Sequence, residues 1–157
     1  MTITRLVVKR VLFVSNGGIC RAPMAAGLLR QLVVEAGLRS RIEVAAASLS
    51  DIHVGKQPTL LAIEAAAARG CHIGDMRVRR VDPQDLVHFT DVLVPDGMIL
   101  AALRNMAPHG LADRPQMLTR YSGRWLADIV DPYGGTAHDF RMALDLTETC
   151  CQGLLAP

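Results

Sequence analysis

The sequence predicts an α/β fold with a parallel sheet, and three observations carry that reading. Short β-branched runs alternate with amphipathic helical segments from one end to the other. Proline stands near the predicted helix starts and glycine near their ends. A Gly-rich turn follows the first apolar run and leads straight into a helix.

The elements follow in order. Val7 to Val14 reads as a short buried strand, and Ser15-Asn16-Gly17-Gly18 as a loop. A helix starts near Pro23, where Met24, Leu28, Leu29, Leu32 and Val33 recur on one face, and Gly37 stops it. Ile42 to Ala46 is the second strand. Pro58 opens a helix over Thr59 to Arg69, closed by Gly70. Asp82-Pro83-Gln84-Asp85 has the chemistry of a helix cap. Val87 to Val94 reads as the third strand, Met98 to Met106 as a helix, and Gln116 to Thr119 as a fourth strand. Thr136 to Leu155 is the last helix, with Phe140, Ala143, Leu144, Leu146 and Thr147 on or near its inner face.

Composition bounds the function. The chain has 157 residues, half of them apolar and a fifth charged, which excludes disorder and predicts a single domain over residues 1–157. Aromatics are 4%, so the core must be aliphatic, with Met76, Met98, Met106 and Met117 read as core fillers. Seventeen basic against 15 acidic residues leave a charge of +2, too balanced to favour nucleic acid. No apolar run approaches the ~20 residues of a membrane span, and Val11 to Val14 is too short for a signal-peptide core. These observations predict a soluble cytoplasmic protein without a membrane partner.

Cys20, Cys71, Cys150 and Cys151 form no C-x-x-C pair, which argues for free buried thiols, with Cys150 and Cys151 on different sides of their helix. His53, His72, His88, His109 and His138 show no paired spacing, so no metal site is predicted. Arg77, Arg79 and Arg80 read as a solvated basic face.

The segment from Val11 to Met24 carries the chemistry. A strand, a Gly-rich turn and a helix N-terminus aim several backbone N–H groups at one spot, and the helix dipole adds partial positive charge there. Arg21 at the mouth can fork onto two anion oxygens. The arrangement reads as an anion nest for phosphate. An ordinary βα turn with a solvated Arg21 fits the same spacing.

Here the chain resembles the low-molecular-weight protein tyrosine phosphatases. Ser15-Asn16-Gly17-Gly18-Ile19-Cys20-Arg21-Ala22-Pro23 stands where that family has C-x-G-N-I-C-R-S-P after its first strand. Asp131-Pro132-Tyr133 matches the family's Asp-Pro-Tyr before the last helix, which Asp139-Phe140 opens. His53-Val54-Gly55 and the segment from Asp91 to Asp96 also fall where similar segments occur. The resemblance implies a three-layer sandwich with a four-stranded parallel sheet, and a metal-free two-step phosphoryl transfer. A cysteine thiolate attacks phosphorus, and the loop holds the equatorial oxygens. An Asp protonates the leaving phenol, and water hydrolyses the phosphocysteine. It assigns the nucleophile position to Ser15, the phosphate clamp to Arg21 and the general acid to Asp131. Asn16, Gly17, Gly18, Ile19 and Cys20 take the phosphate-binding loop positions, and Ile52 and Tyr133 the substrate rim. The implied ligands are phosphate, a phosphorylated small molecule or a phosphotyrosine protein, with no cofactor.

The departures bear on activity. Ser15 replaces the nucleophilic cysteine. A thiol has a reference pKa of about 8.5 that a helix N-terminus lowers by units, whereas an alkanol stays protonated in the same field. A serine nucleophile needs an adjacent base, and no His or Lys lies near Ser15 in sequence. Cys20 lacks the spacing to an arginine. The family Asn is Gly18, which reaches positive φ freely, and the family Ser is Ala22. Ile52 and Gly134 stand where aromatics are common. Three changes in one loop favour natural divergence over a single substrate-trapping substitution. The chain therefore reads as a phosphatase relative that keeps its anion loop and has weak or no activity. The alternatives are an active aryl phosphate hydrolase, an arsenate reductase, which the thiol arrangement disfavours, and a non-catalytic interaction protein. Asp131 also fits a plain turn residue.

Overall fold

A computed structural model describes residues 9–124 and 127–156. Its centre is β1 (Lys9–Ser15), whose residues alternate between two apolar layers. Val11 and Phe13 enter one core, and Leu12 and Val14 the other. A strand covered on both faces must read as a continuous apolar run, which this one does.

β1 leads into α1 (Arg21–Glu35), which packs Met24, Leu28, Leu29 and Val33 into the first core. The helix starts two residues ahead of Pro23, which occupies its first turn, where the missing N–H costs nothing. Gly37, at φ +72°, ends the turn that follows. β2 (Ile42–Ser48) pairs in parallel with β1 over its whole length. α2 (Leu60–Ala67) is shorter than its periodicity predicts, and Gly70 at φ +81° closes the turn after it.

α3 (Asp85–His88) is a single helical turn, followed by β3 (Asp91–Val94). The strand expected from Val87 is thus shorter than read. Asp82 Oδ1 accepts from Gln84 N, and Asp85 Oδ2 from Asp82 N, which winds Val87 and His88 into the helix. α4 (Gly97–Met106) follows, N-capped by Asp96. β4 (Pro115–Met117) begins one residue before the expected strand and ends sooner, because Leu118–Tyr121 turn into a 3-10 helix. α5 (Ala137–Leu155) starts at a Thr136–Asp139 capping box.

The sheet has the order β2-β1-β3-β4, all parallel. α1, α2 and α5 cover one face, with α3 and α4 on the other, giving the three-layer sandwich. The strand order reverses direction at β1. Crevices at such switch points, beyond the carboxyl ends of the strands, are where α/β sheets bind ligands.

Two readings need correction or limits. Met98 is 85% exposed and fills no core, whereas Met76, Met106 and Met117 pack against the cores as partly buried side chains. Cys150 and Cys151 are both fully buried in the same core, in keeping with the free buried thiols expected. Val7 and Val8 of the first expected strand lie outside the described residues. All four cysteines are free and buried. No described helix is long and apolar enough to cross a membrane.

Candidate active site

The loop from Ser15 to Arg21 leaves β1 at the switch point and becomes the first turn of α1. Ser15 is 3% exposed, and its Oγ accepts a 3.2 Å hydrogen bond from the backbone N–H of Ala22. The hydroxyl oxygen therefore sits at the positive end of α1, where the dipole favours negative charge.

Gly18 takes φ +76°. Glycine is required there twice over. The left-handed backbone disfavours a side chain, and a Cβ would stand 2.7 Å from Ser48 Cβ and 3.0 Å from Val78 Cγ1. Gly18 presses back against β2, while Ser15, Asn16, Gly17, Ile19, Cys20 and Arg21 line a cavity of about 150 Å³. Ser50, Ile52, His53, Asp131 and Tyr133 close its other side.

Arg21 is 5% exposed, so it is not the solvated side chain of an ordinary turn. Its Nη1 donates to Asp96 Oδ2 at 2.9 Å and to the carbonyl of Ile129 at 2.7 Å. Its Nη2 stands 3.8 Å from Asp131 Oδ2. One edge of the guanidinium is thus anchored and the other faces the cavity. Asp131 combines the turn role and the site role. Its Oδ1 accepts from Tyr133 N at 3.1 Å, an Asx turn, while Oδ2 looks toward Arg21.

Cys20 lines the same cavity, with its thiol 3.6 Å from Thr59 Oγ1. Burial pushes its pKa up to about 11, so it is a neutral thiol at pH 7.

Sequence reasoning missed two residues that the fold brings here. Asp96 lies 75 positions from Arg21 yet anchors it. His53, remote in sequence from Ser15, enters the cavity wall, with its ring centroid 6.4 Å from that of Tyr133. Its Nδ1 is buried with no hydrogen-bond partner among the described residues. The only available signal was that both fall in segments already noted as similar to the phosphatase family. No group of His, Cys, Asp and Glu among the described residues has the arrangement of a metal site.

The chain is 33% identical over 147 residues to the low molecular weight protein-tyrosine-phosphatase YfkJ of Bacillus subtilis, covering 93% of both chains. The crystal structure of YfkJ superposes with a TM-score of 0.87 at 32% identity, covering 94% of this chain and 92% of that one. The fold is also shared, at 23% identity and a TM-score of 0.83 over 92% of each chain, with the YwlE arginine phosphatase, solved as a cysteine-to-serine mutant with a phosphorylated active-site serine. The family model for low molecular weight phosphotyrosine protein phosphatase matches residues 10–157, and the chain belongs to that family.

Proposed function

We propose that this chain binds the phosphoryl group of an aryl phosphate or phosphotyrosine protein in the 15–21 loop, with hydrolysis slow or absent because Ser15 holds the nucleophile's place. The observation that carries this reading is the buried Ser15 hydroxyl on the Ala22 N–H, in one cavity with Arg21 and Asp131. Backbone N–H groups, the α1 dipole and the free edge of Arg21 all favour an anion at that spot.

The same geometry limits the chemistry. In a family-type step the Ser15 Oγ–P bond would form as the P–O bond to the phenol breaks, with Asp131 protonating the phenolate. The Ser15 proton must pass at the same time to a phosphoryl oxygen of the substrate, because a hydroxyl does not ionise near pH 7 as a thiol at a helix N-terminus does. Release of a serine phosphate is also harder than release of a thiophosphate, because an alkoxide is the poorer leaving group. A single slow transfer that stops at phosphoserine is the product this chemistry favours. The phosphorylated serine of the YwlE mutant accords with it.

One observation favours a second reading, an active hydrolase. Among the described residues His53 is the only imidazole lining the cavity, and its Nδ1 has no hydrogen-bond partner. On this reading the His53 imidazole is the base that the sequence alone did not supply.

The deciding experiment measures turnover of an aryl phosphate by the native chain, Ser15→Cys and His53→Gln, together with the thermal shift given by inorganic phosphate. The main reading expects a phosphate shift that Arg21→Ala removes, and turnover that only Ser15→Cys displays. Native turnover that His53→Gln abolishes supports the second reading. No phosphate shift overturns both.

A further inference from the structure

Asp131 and Tyr133 each line two concavities. One is the anion cavity. The other is an open groove of about 630 Å³ that runs from Val130 across the Gly134–Gly135 turn to Met142 and Leu146 on α5. Its apolar side chains stand in the open, with Val130 78%, Tyr133 61% and Met142 50% exposed. A Cβ at Gly134 would meet nothing within 4 Å, so no side chain fills the space above the turn. Single exposed apolar residues need no explanation, but here three of them share one concavity that adjoins the anion cavity. Methionine suits such a surface because its flexible thioether adapts to varied partners.

We propose that this groove docks an apolar side chain of the phosphorylated protein, one or two residues from the phosphorylated residue itself. The inference rests on the phosphate-binding reading above. Continuity selects the occupant. Tyr133 is the ridge between cavity and groove, so a polypeptide whose phosphorylated side chain passes Tyr133 lies across the groove's near end. An extended chain sets side chains i and i+2 on one face roughly 7 Å apart, about the span of an aromatic ring with its contact shell. The charges point the same way. Asp131 and Asp139 border the groove with His138 between them in the lining, so two carboxylates against one imidazole disfavour an acidic neighbour there. A small aryl phosphate has no segment to reach the groove and is blind to it.

The test is fluorescence-anisotropy binding of labelled phosphotyrosyl peptides to the native chain. The peptides carry Leu, Ala or Asp at the two positions on either side of the phosphorylated residue. Met142→Glu and Val130→Glu are the variants, and the inorganic phosphate thermal shift is measured on each protein. The expected result is at least tenfold tighter binding of the Leu peptide than of the Asp peptide. The Leu peptide should also bind roughly fivefold tighter than the Ala peptide, and this Leu-over-Ala advantage should fall below twofold in both variants, with their phosphate shift unchanged. Equal binding of all peptides with the phosphate shift intact overturns the groove and leaves the anion reading standing. A Leu advantage that survives both substitutions overturns it too. A concentration-dependent dimer that Met142→Glu dissolves assigns the groove to a second copy of the chain instead and overturns it. Loss of the phosphate shift in the native chain removes the underlying reading and the docking proposal together.

Discussion

Asp96 ties the phosphate loop to the opposite layer of the fold by holding Arg21 with one carboxylate oxygen and the N-terminus of α4 with the other. Its Oδ2 accepts from Arg21 Nη1 at 2.9 Å, and its Oδ1 accepts from Ile99 N at 2.9 Å. Arg21 lies in the first turn of α1, on the other face of the sheet from α4, so one side chain couples both helix layers at the site.

Asp96→Ala should therefore cost more than a lost cap. A cap alone is worth about 1 kcal/mol. Removing one partner of a buried guanidinium adds a penalty of up to about 3 kcal/mol, reduced by the Ile129 carbonyl and Asp131 that remain. Asp96→Asn keeps a cap acceptor and loses the charge, so it should lie between the native chain and Asp96→Ala. Denaturant melts of the three proteins check the order. The phosphate thermal shift should weaken in both variants, because Arg21 loses the contact that orients it. An Asp96→Ala chain destabilised by no more than a cap would show that the ion pair carries no weight.

Much of the fold was legible in the sequence because its signals are local. The apolar run of β1, the spacing of Met24, Leu28, Leu29 and Val33, and the glycines at 37 and 70 each act within a few residues. The departures arose where distant contacts or short polar caps decide. Val87 and Phe89 alternate with polar residues toward β3, and periodicity cannot separate a strand from a helical turn over so short a stretch. The Asp82–Asp85 hydrogen bonds settle the matter as helix. Met98 sits in the first turn of α4 and points to solvent, which no apolar count reveals. The anion loop was legible because strand, glycines and arginine are contiguous. Asp96 and His53 were not, because their role depends on tertiary placement.

Gly18→Ala tests whether the loop's shape and its binding are one property. The new Cβ would meet Ser48 Cβ at 2.7 Å, in a backbone conformation that L-residues disfavour. Left-handed strain and overpacking together predict a loss of about 2–4 kcal/mol. The variant should also lose most of its phosphate thermal shift, since this turn sets the path of Ile19 and Cys20, which line the cavity. Gly37→Ala is the control. It has similar φ but nothing within 4 Å of the added carbon, so it should cost only the strain and leave phosphate binding alone.

The thiols set an alkaline limit on stability. Burial pushes Cys20 and Cys150 up to about 11, and raises Cys71 and Cys151 as well. An unfolded cysteine ionises near pH 8.5. Below that pH both states keep their protons, and the thiols contribute no slope. Above it the unfolded chain binds fewer protons than the folded one, so stability falls as pH rises, until the folded thiols ionise in turn. Urea melts should show a steady loss from about pH 8.5 to 11 that substitution of Cys150 by Ala reduces. Iodoacetamide at pH 7 should label the native chain far more slowly than the unfolded one. In Ser15→Cys one new thiol, at the N-terminus of α1, should react first.

Gly153 tests the packing that holds the far end of α5. A Cβ there would collide with the carbonyl oxygen of Tyr121 and lie 2.9 Å from its carbon, so helix and 3-10 turn touch backbone to backbone. Gly153→Ala cannot be absorbed by a rotamer change, because the obstacle is main chain. Either α5 or the 118–121 turn must move. Both flank Leu118 and Leu154 of the first core, so the shift opens packed apolar surface. Overpacking of this kind costs about 1–3 kcal/mol, and a backbone obstacle belongs at or above the upper end. In a helix interior Gly→Ala alone would stabilise by about 1 kcal/mol, so the sign of the effect is diagnostic. A thermal melt that drops by several degrees establishes the contact. A melt that rises shows that α5 stands farther from Tyr121 than this packing requires.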